Sequence, residues 1–505
     1  MRHSTKIEAV KYIWIDSCCI IQNSTTDWEI ESSLMAQVYK YAKCNIAANC
    51  AESSRDGCFT QRDPLMTTPL YFDLPGSNYH FCFPLTSELQ AVLNRGPLAT
   101  RAWALQERLL APRTLHFTSL QLVWECKQMT ACETFPAGLL VGQDEYGRQL
   151  HNGISLPDSD EPNSAEQLYR QWTQICLDYS ACFLTKEEDK LVALSGIAQE
   201  FSQSLSSDVY LAGLWKNNLP HNLLWRVRHK DGLPIQSNSE PARKPCAYRA
   251  PSWSWLSLDG SIFYEWEADE KAYRIFANII SAKVDLVTKN VTGQIKGGYI
   301  KLRGCIRLAN WHRVPNSYGN GYSIKLILDG RTSEQICEDR GDYSRQQDWI
   351  YCFQDIGLGF DNETVCCLIV GGNNTQDGPT LHGLLLIPTD TPKTYQRVGV
   401  FSIRGDGPCN ALKYPLRKAD IAGAFPWRNH SLKRKRSIPN VTTRLQASID
   451  TVPKEHGQGV GAAADLAGHR NHSKDPGSPE NLYRDAWPVN RQVFQKLEIQ
   501  TITII

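Results

Sequence analysis

Tyr12-Ile13-Trp14-Ile15-Asp16 sets a short, wholly apolar run against an acid, and this run constrains the fold more than any other segment. Apolar residues without alternation, bounded by polar ones, read as a strand covered on both faces, the pattern of a parallel sheet. Asp16 then ends that strand at its carboxyl edge, where open α/β sheets bind ligands. A polar turn follows, and Asp27-Trp28-Glu29-Ile30-Glu31-Ser32 opens a helical pattern with Asp27 as its cap. Leu34, Val38 and Ala42 form an apolar stripe, with Met35 and Tyr39 on an adjoining row, so one side of the helix faces the core. Asn45-Ile46-Ala47-Ala48 reads as a second short buried strand, which makes residues 11–50 a β-α-β unit of parallel type.

Farther along, residues 51–97 are loop-rich, with turn signals at Arg55-Asp56-Gly57 and Arg62-Asp63-Pro64. Arg101 to Leu110 is a helix closed by Pro112, and Arg113 to Cys126 alternates as a strand does. Residues 136–164 are polar and carry Pro and Gly, the character of a linker or long loop. Residues 165–230 form a helical segment. Its signals are Tyr169, Trp172, Ile175, Cys176 and Tyr179, then Asp189 to Phe201, then a third run around Tyr210 to Trp215 and Leu223-Leu224-Trp225. Residues 245–403 read as a mostly antiparallel β-rich domain. Its first strand, Pro251 to Ser257, puts Trp253 and Trp255 on one side, in the core. Residues 404–490 are polar and aperiodic, a disordered or inserted segment. Residues 491–505 regain strand character and are expected to return to the β domain as an edge strand.

Composition narrows the partners. A formal net charge of +1 over 505 residues excludes a global attraction to nucleic acid or to an anionic membrane. No apolar run approaches the ~18 residues of a membrane span, and no signal peptide opens the chain. The 17 cysteines include no CxxC pair and no zinc-ligand spacing, so no metal is expected, and a reduced cytoplasmic protein with buried thiols is. Lys433-Arg434-Lys435-Arg436 resembles a nuclear-localisation patch, with a solvated basic run as the alternative.

Three blocks carry a resemblance to the fungal heterokaryon incompatibility (HET) domain family. They are Tyr12 to Gln22 with Asp27-Trp28 and Glu31-Ser32; Ala51 to Gly57 with Phe59 and Arg62-Asp63-Pro64; and Gly96-Pro97-Leu98 with Arg101-Ala102-Trp103, Leu105-Gln106-Glu107-Arg108 and Leu115-His116-Phe117. Residues 1–135 are thus read as a partial HET domain, truncated at its N-terminus, because the family usually carries further strand–helix units ahead of the Trp-Ile-Asp block. The resemblance implies a role in fungal non-self recognition leading to programmed cell death, by self-assembly or by binding an incompatibility partner protein. It also implies a TIR- or flavodoxin-like α/β sheet, incomplete here, and many TIR domains cleave NAD at the nicotinamide–ribose bond with a glutamate.

Two classes of function follow: an interaction protein, or an NAD-cleaving hydrolase for which NAD is the substrate and no cofactor is needed. For the hydrolase, Glu31 is the first candidate acid. A carboxylate there would stabilise an oxocarbenium-like centre as the glycosidic bond breaks. Its alternative is a first-turn acid that complements the helix dipole. Glu29 is a weaker rival. Asp16 would contact ribose or orient Glu31, or else bond the backbone of its own turn. Arg101 would pair with phosphate, or with Asp16 or Glu31, or lock its helix to the sheet. Trp14 and Trp103 are the aromatic candidates for contact with the substrate. Cys18 and Cys19 read as buried thiols rather than nucleophiles.

Overall fold

A computed structural model describes residues 10–67, 70–73, 80–83, 86–139, 164–228, 242–264, 273–315, 322–327, 350–355, 364–375, 378–404 and 498–505. Residues 140–163 of the expected linker at 136–164, residues 405–490 of the inserted segment and the basic run Lys433 to Arg436 lie outside these residues.

The opening strand does not form. Residues 11–15 pair with no strand among the described residues, and Tyr12 is 88 % exposed. An extended run keeps its ladder only with a neighbour alongside, and here the Ile15 carbonyl instead accepts the N–H groups of Cys18 (2.9 Å) and Cys19 (2.8 Å). That starts α1 (Asp16–Cys19), whose Asp16 Oδ1 accepts the Ser17 N–H at 2.8 Å. Cys18 and Cys19 are exposed, against the expectation of buried thiols.

Helix α2 (Thr25–Lys40) begins earlier than its expected cap. Ser24 caps it, accepting the Asp27 N–H at 3.2 Å, while the Asp27 carboxylate takes the Ile21 N–H at 2.7 Å and pins the preceding turn. Met35 and Ser32 are its buried positions, whereas Leu34 is exposed. Met35 of the adjoining row therefore faces inward, while in the expected stripe Leu34 is exposed and Val38 and Ala42 are half-buried.

Next come β1 (Asn45–Ala47), the hairpin β2 (Leu70–Asp73) and β3 (His80–Phe83), α3 (Thr86–Arg95) and α4 (Ala102–Leu110). Strands β4 (Arg113–Phe117), β5 (Leu122–Cys126) and β6 (Thr130–Cys132) complete a four-stranded sheet of order β1-β4-β5-β6. Only β1 and β4 run parallel, and the rest is an antiparallel meander. The N-terminal region is mixed α/β.

The middle holds α5 (Ala165–Ser180), with a Ser164–Gln167 capping box, and α6 (Val192–Ser204). The expected third helical run is instead a hairpin, β7 (Tyr210–Leu211) and β8 (Leu214–Trp215). Its two-residue loop puts Ala212 at φ 48° and Gly213 at φ 87°, both positive as a type I′ turn requires. Helix α7 (Leu219–Asn222) and the short strands β9 (Arg226–Val227) and β10 (Ile262–Phe263) follow. Between those strands Pro251 to Ser257 is a turn and a 3-10 helix rather than a strand. Ser254 Oγ accepts the Leu256 N–H at 3.1 Å and donates to the Ala212 carbonyl at 2.6 Å, which folds the segment back on the hairpin. Trp253 and Trp255 are nonetheless fully buried, as expected.

The C-terminal region is one nine-stranded sheet. Its strands are β11 (Arg274–Ile275), β12 (Asn278–Leu286), β13 (Ile295–Pro315), β14 (Tyr322–Ile327), β15 (Ile350–Gln354), β16 (Thr364–Thr375), β17 (Gly378–Pro388), β18 (Thr394–Arg404) and β19 (Glu498–Ile504). The order β16-β17-β18-β19-β13 closes on itself because the 21-residue β13 also pairs with β16, giving a barrel-like form. β19 is not at an edge. It lies between β13 and β18, antiparallel to the first and parallel to the second.

One apolar core joins the helices to the barrel. Trp172, Trp215, Trp225, Trp253 and Trp255 are all fully buried in it. The Gly213 carbonyl accepts the indole N–H of Trp172 at 2.9 Å and of Trp255 at 3.2 Å. A Cβ on Gly213 would stand 2.8 Å from Trp255 Nε1. Gly213→Ala is therefore expected to cost about 1–3 kcal/mol through strain at positive φ and displaced indoles. Urea denaturation read by tryptophan fluorescence checks this. Ala212→Gly, in the same turn but without such a clash, is expected to lose much less.

Candidate functional site

Three helices meet at Gly196 of α6. Its N–H donates to Gln106 Oε1 of α4 at 3.0 Å, and a Cβ there would stand 2.5 Å from that oxygen and 2.6 Å from the Ala36 Cβ of α2. Only glycine lets the helices approach this closely. Lys40 of α2 and Glu200 of α6 close the junction with a 2.7 Å ion pair. The start of α4 is fixed from the other side, where the Ala102 N–H donates to the Phe183 carbonyl at 3.0 Å.

This packing sets Tyr39 of α2 against Glu107 of α4. Burial is the main cause that pushes the Glu107 carboxyl up to about 7. The Tyr39 hydroxyl, donating toward the carboxylate, opposes that shift; the charge of Asp16 adds to it and the Arg101 guanidinium subtracts. Burial likewise drives the Tyr39 hydroxyl far above its ordinary range, helped by Glu107 and Asp16. Glu107 is half-buried, and its carboxyl changes charge near neutral pH.

Of the residues singled out from sequence, Asp16 and Arg101 converge on this pair. Glu31 falls in the second turn of α2, past the reach of the helix-end dipole, and has no ion-pair or hydrogen-bond partner among the described residues. Glu29 is exposed on the same helix. Trp14 is half-buried, and its indole nitrogen is buried with no acceptor among the described residues. The Trp103 indole donates to Asp189 Oδ2 at 3.3 Å, tying α4 to the turn before α6. In the sequence, Glu107 lies in one polar cluster with Arg101 and Trp103 and carries no mark of an acid, and Tyr39 lies among apolar core positions. The signal for both was weak, since the contact between them spans two helices.

The lock between helix and sheet weighed for Arg101 is made instead by Arg108. Its guanidinium grips Glu125 of β5 through two bonds, 2.7 and 2.6 Å, and reaches Asn94 Oδ1 at 3.1 Å. Glu125 Oε2 also lies 2.7 Å from Nε2 of the buried His116, whose Nδ1 lies 3.1 Å from Asn49 Oδ1. Burial alone would raise the Glu125 carboxyl, but the Arg108 charge and the bonds from His116 and Arg108 outweigh it and hold it well below the usual range.

The family model described as heterokaryon incompatibility protein (HET) matches residues 1–107. Residues 1–107 carry a HET domain match. No curated protein and no solved structure matches the chain. The HET segment contains Asp16, Glu31, Tyr39, Arg101 and Trp103 and ends at Glu107, while Arg108 and the strands it grips lie beyond it. Among the described residues no group of His, Cys, Asp and Glu is placed to hold a metal ion, and no helix is long and apolar enough to cross a membrane.

Two outcomes are expected. Arg108→Ala leaves the half-buried Glu125 carboxylate with His116 as its remaining partner and is expected to cost about 1–3 kcal/mol, measured by chemical denaturation. Glu107 has a folded value of about 7 against an ordinary 4.5, so the folded protein holds the proton more tightly than the unfolded chain. Its contribution is full below pH 4.5 and is lost as the pH rises to about 7. Wild type should therefore lose stability relative to Glu107→Gln across that window, by on the order of 2 kcal/mol. Parallel pH series of the two proteins isolate this group.

Proposed function

We propose that the protein acts in heterokaryon incompatibility, in non-self recognition, and that its HET segment promotes programmed cell death by docking onto an incompatibility partner protein. The observation that carries this is the outer row of α2. Ile30 is 54 % exposed, Leu34 39 % and, at the helix end, Tyr41 78 %. At 3.6 residues per turn these positions share one face. A single exposed hydrophobe is ordinary, but a row along a helix marks a surface built to be covered. A TIR-like or flavodoxin-like sheet is the finer form of this reading, supported by the parallel pair β1 and β4 with α4 packed on β1 and α2 packed on α4. We place the action in the cytoplasm, with Lys433, Arg434, Lys435 and Arg436 as a nuclear address.

A second reading is NAD cleavage. It is favoured by the Glu107 carboxyl beside Asp16, Tyr39 and Arg101, and by the unpartnered Trp14 indole N–H. In this reading a carboxylate stabilises the ribosyl cation as nicotinamide leaves, and water completes the hydrolysis. Arg101 would hold phosphate, with Trp14 and Trp103 beside the substrate. Glu31 and Asp16 remain the acids proposed from sequence, and Glu107 is the one added by geometry.

The test combines two assays. In a fungal host, Ile30→Lys with Leu34→Lys should raise survival at least tenfold over wild type while circular dichroism stays unchanged. Equal killing by the folded variant overturns docking through this row. A wild type that runs as a dimer beside a monomeric variant makes a second copy the occupant. In parallel, purified protein is assayed for NAD loss. Turnover abolished by Glu107→Gln and kept by Glu31→Gln assigns the acid to Glu107, the converse assigns it to Glu31, and no turnover removes the enzymatic reading.

A further inference from the structure

A pocket of about 460 Å³ opens beside the barrel, well away in sequence from the HET segment. Its position follows from the strand register. On one flank of β19, Ile504 pairs with Ile300 of β13; on the other it pairs with Tyr395 of β18. Ile505, the residue after β19, lines the gap beside that pair. Residues 296–298 of β13 and 396–398 of β18 line the gap, and the segment 244–252 lies across it. A Cβ on Gly298 would stand 3.1 Å from Pro251 Cγ, so the crossing segment rests directly on the strand.

Among the side chains of the lining, positive charge is in excess. Arg397 and Asp355 satisfy each other through a bidentate pair at 2.8 and 2.9 Å. Arg249 is spent on Asp259 at 2.7 Å. Lys244 and Lys296 also line the pocket; both are exposed, and neither has an ion-pair partner among the described residues. Tyr248, 59 % exposed, presents its ring at the same place. Asp285, whose charge acts on Tyr248, is occupied by Lys283 at 2.7 Å. The volume lies within the range of small-molecule sites, roughly 300–1,000 Å³. Two uncommitted ammonium groups at one concavity concentrate anions there, and lysine serves phosphate as a point charge. An exposed tyrosine ring adds a flat surface for stacking.

We infer that this pocket binds a small organic phosphate, with Lys244 and Lys296 on the phosphate and Tyr248 against a planar group of the ligand. Adenosine monophosphate, adenosine and inorganic phosphate are the probes, titrated into the full chain by calorimetry. Adenosine monophosphate should bind, adenosine should bind at least tenfold more weakly, and Lys244→Ala with Lys296→Ala should weaken the nucleotide at least tenfold. The paired Lys→Arg variant, which keeps the charge, should bind within a few-fold of wild type. Alkylation of the exposed Cys246 in the lining, followed by peptide mass spectrometry, should slow when the nucleotide is bound. The inference is overturned if adenosine monophosphate fails to bind at millimolar concentration, or if the double alanine variant binds it as wild type does. Inorganic phosphate that binds as tightly as the nucleotide overturns the role of Tyr248. These substitutions lie outside the HET segment, so their outcome is separable from that of the docking and NAD assays.

Discussion

The carbonyl of Gly213 receives two indole N–H groups, and most of the molecule is arranged around that acceptor. Trp172 brings α5 to it, and Trp255 brings the turn that leads into the barrel. A buried tryptophan removes about 150–250 Å² from water, but an unmatched indole N–H gives back about 1–3 kcal/mol. Trp215 and Trp253 leave their indole nitrogens without an acceptor among the described residues, so the core already bears that cost twice. The shared carbonyl spares it the same cost at Trp172 and Trp255. The chain of contacts continues through Trp225, whose indole donates to the Trp253 carbonyl at 3.0 Å and whose ring stacks 3.4 Å beneath the Arg397 guanidinium. Arg397 belongs to β18, so helices and barrel are joined by hydrogen-bonded aromatics rather than by grease alone.

The HET segment is attached to this core through α4 and α6. Ala102 belongs to the core, with Trp103, Leu105 and Leu109 packed against it, and the glycine junction at Gly196 then carries α2. Glu107 and Tyr39 sit on these well-anchored helices. Asp16 and Trp14 come from the exposed opening segment, which has no ladder to hold it. The site therefore combines a rigid half and a lightly held half. A carboxyl whose charge depends on its surroundings responds to any movement of the lighter half, because Asp16 is one of the charges that sets it.

The sequence was most legible where a signal is local. The helices α4, α5 and α6 and the antiparallel character beyond 260 follow from periodicity, whereas the single alternating run Arg113 to Cys126 divides into the two strands β4 and β5. It misled where the deciding partner is distant. The run Tyr12 to Ile15 has the composition of a buried strand, but composition cannot supply the neighbouring strand that buries it. On α2 two apolar rows lie side by side, and the approach of α4 and α6 at Gly196 selects the row with Met35. Tyr210 to Trp215 lacks the Asn-Gly or Asp-Gly pair that announces a type I′ hairpin, and Ala212-Gly213 takes its place. Trp253-Ser254-Trp255 alternates by coincidence, since Ser254 bends the chain with its own hydroxyl. Of the candidate site, Asp16 and Arg101 were legible as chemistry, while the pairing of Glu107 with Tyr39 exists only once two helices have docked.

Strand β19 fills an interior slot of the barrel, yet it joins from far along the chain, with Ile504 opposite Ile300 and beside Tyr395. Such a strand is a late-arriving keystone. Until it docks, β13 and β18 stand as open edges, and non-local closure of this kind belongs to the slow, high-contact-order class of folding steps. The same topology is permissive about what lies between Arg404 and Glu498. For a flexible connection, closure entropy grows only with the logarithm of length, so each doubling costs about 0.6 kcal/mol. The barrel can therefore host large changes in the length of this connection over evolutionary time, provided that the seven residues of β19 keep their alternation.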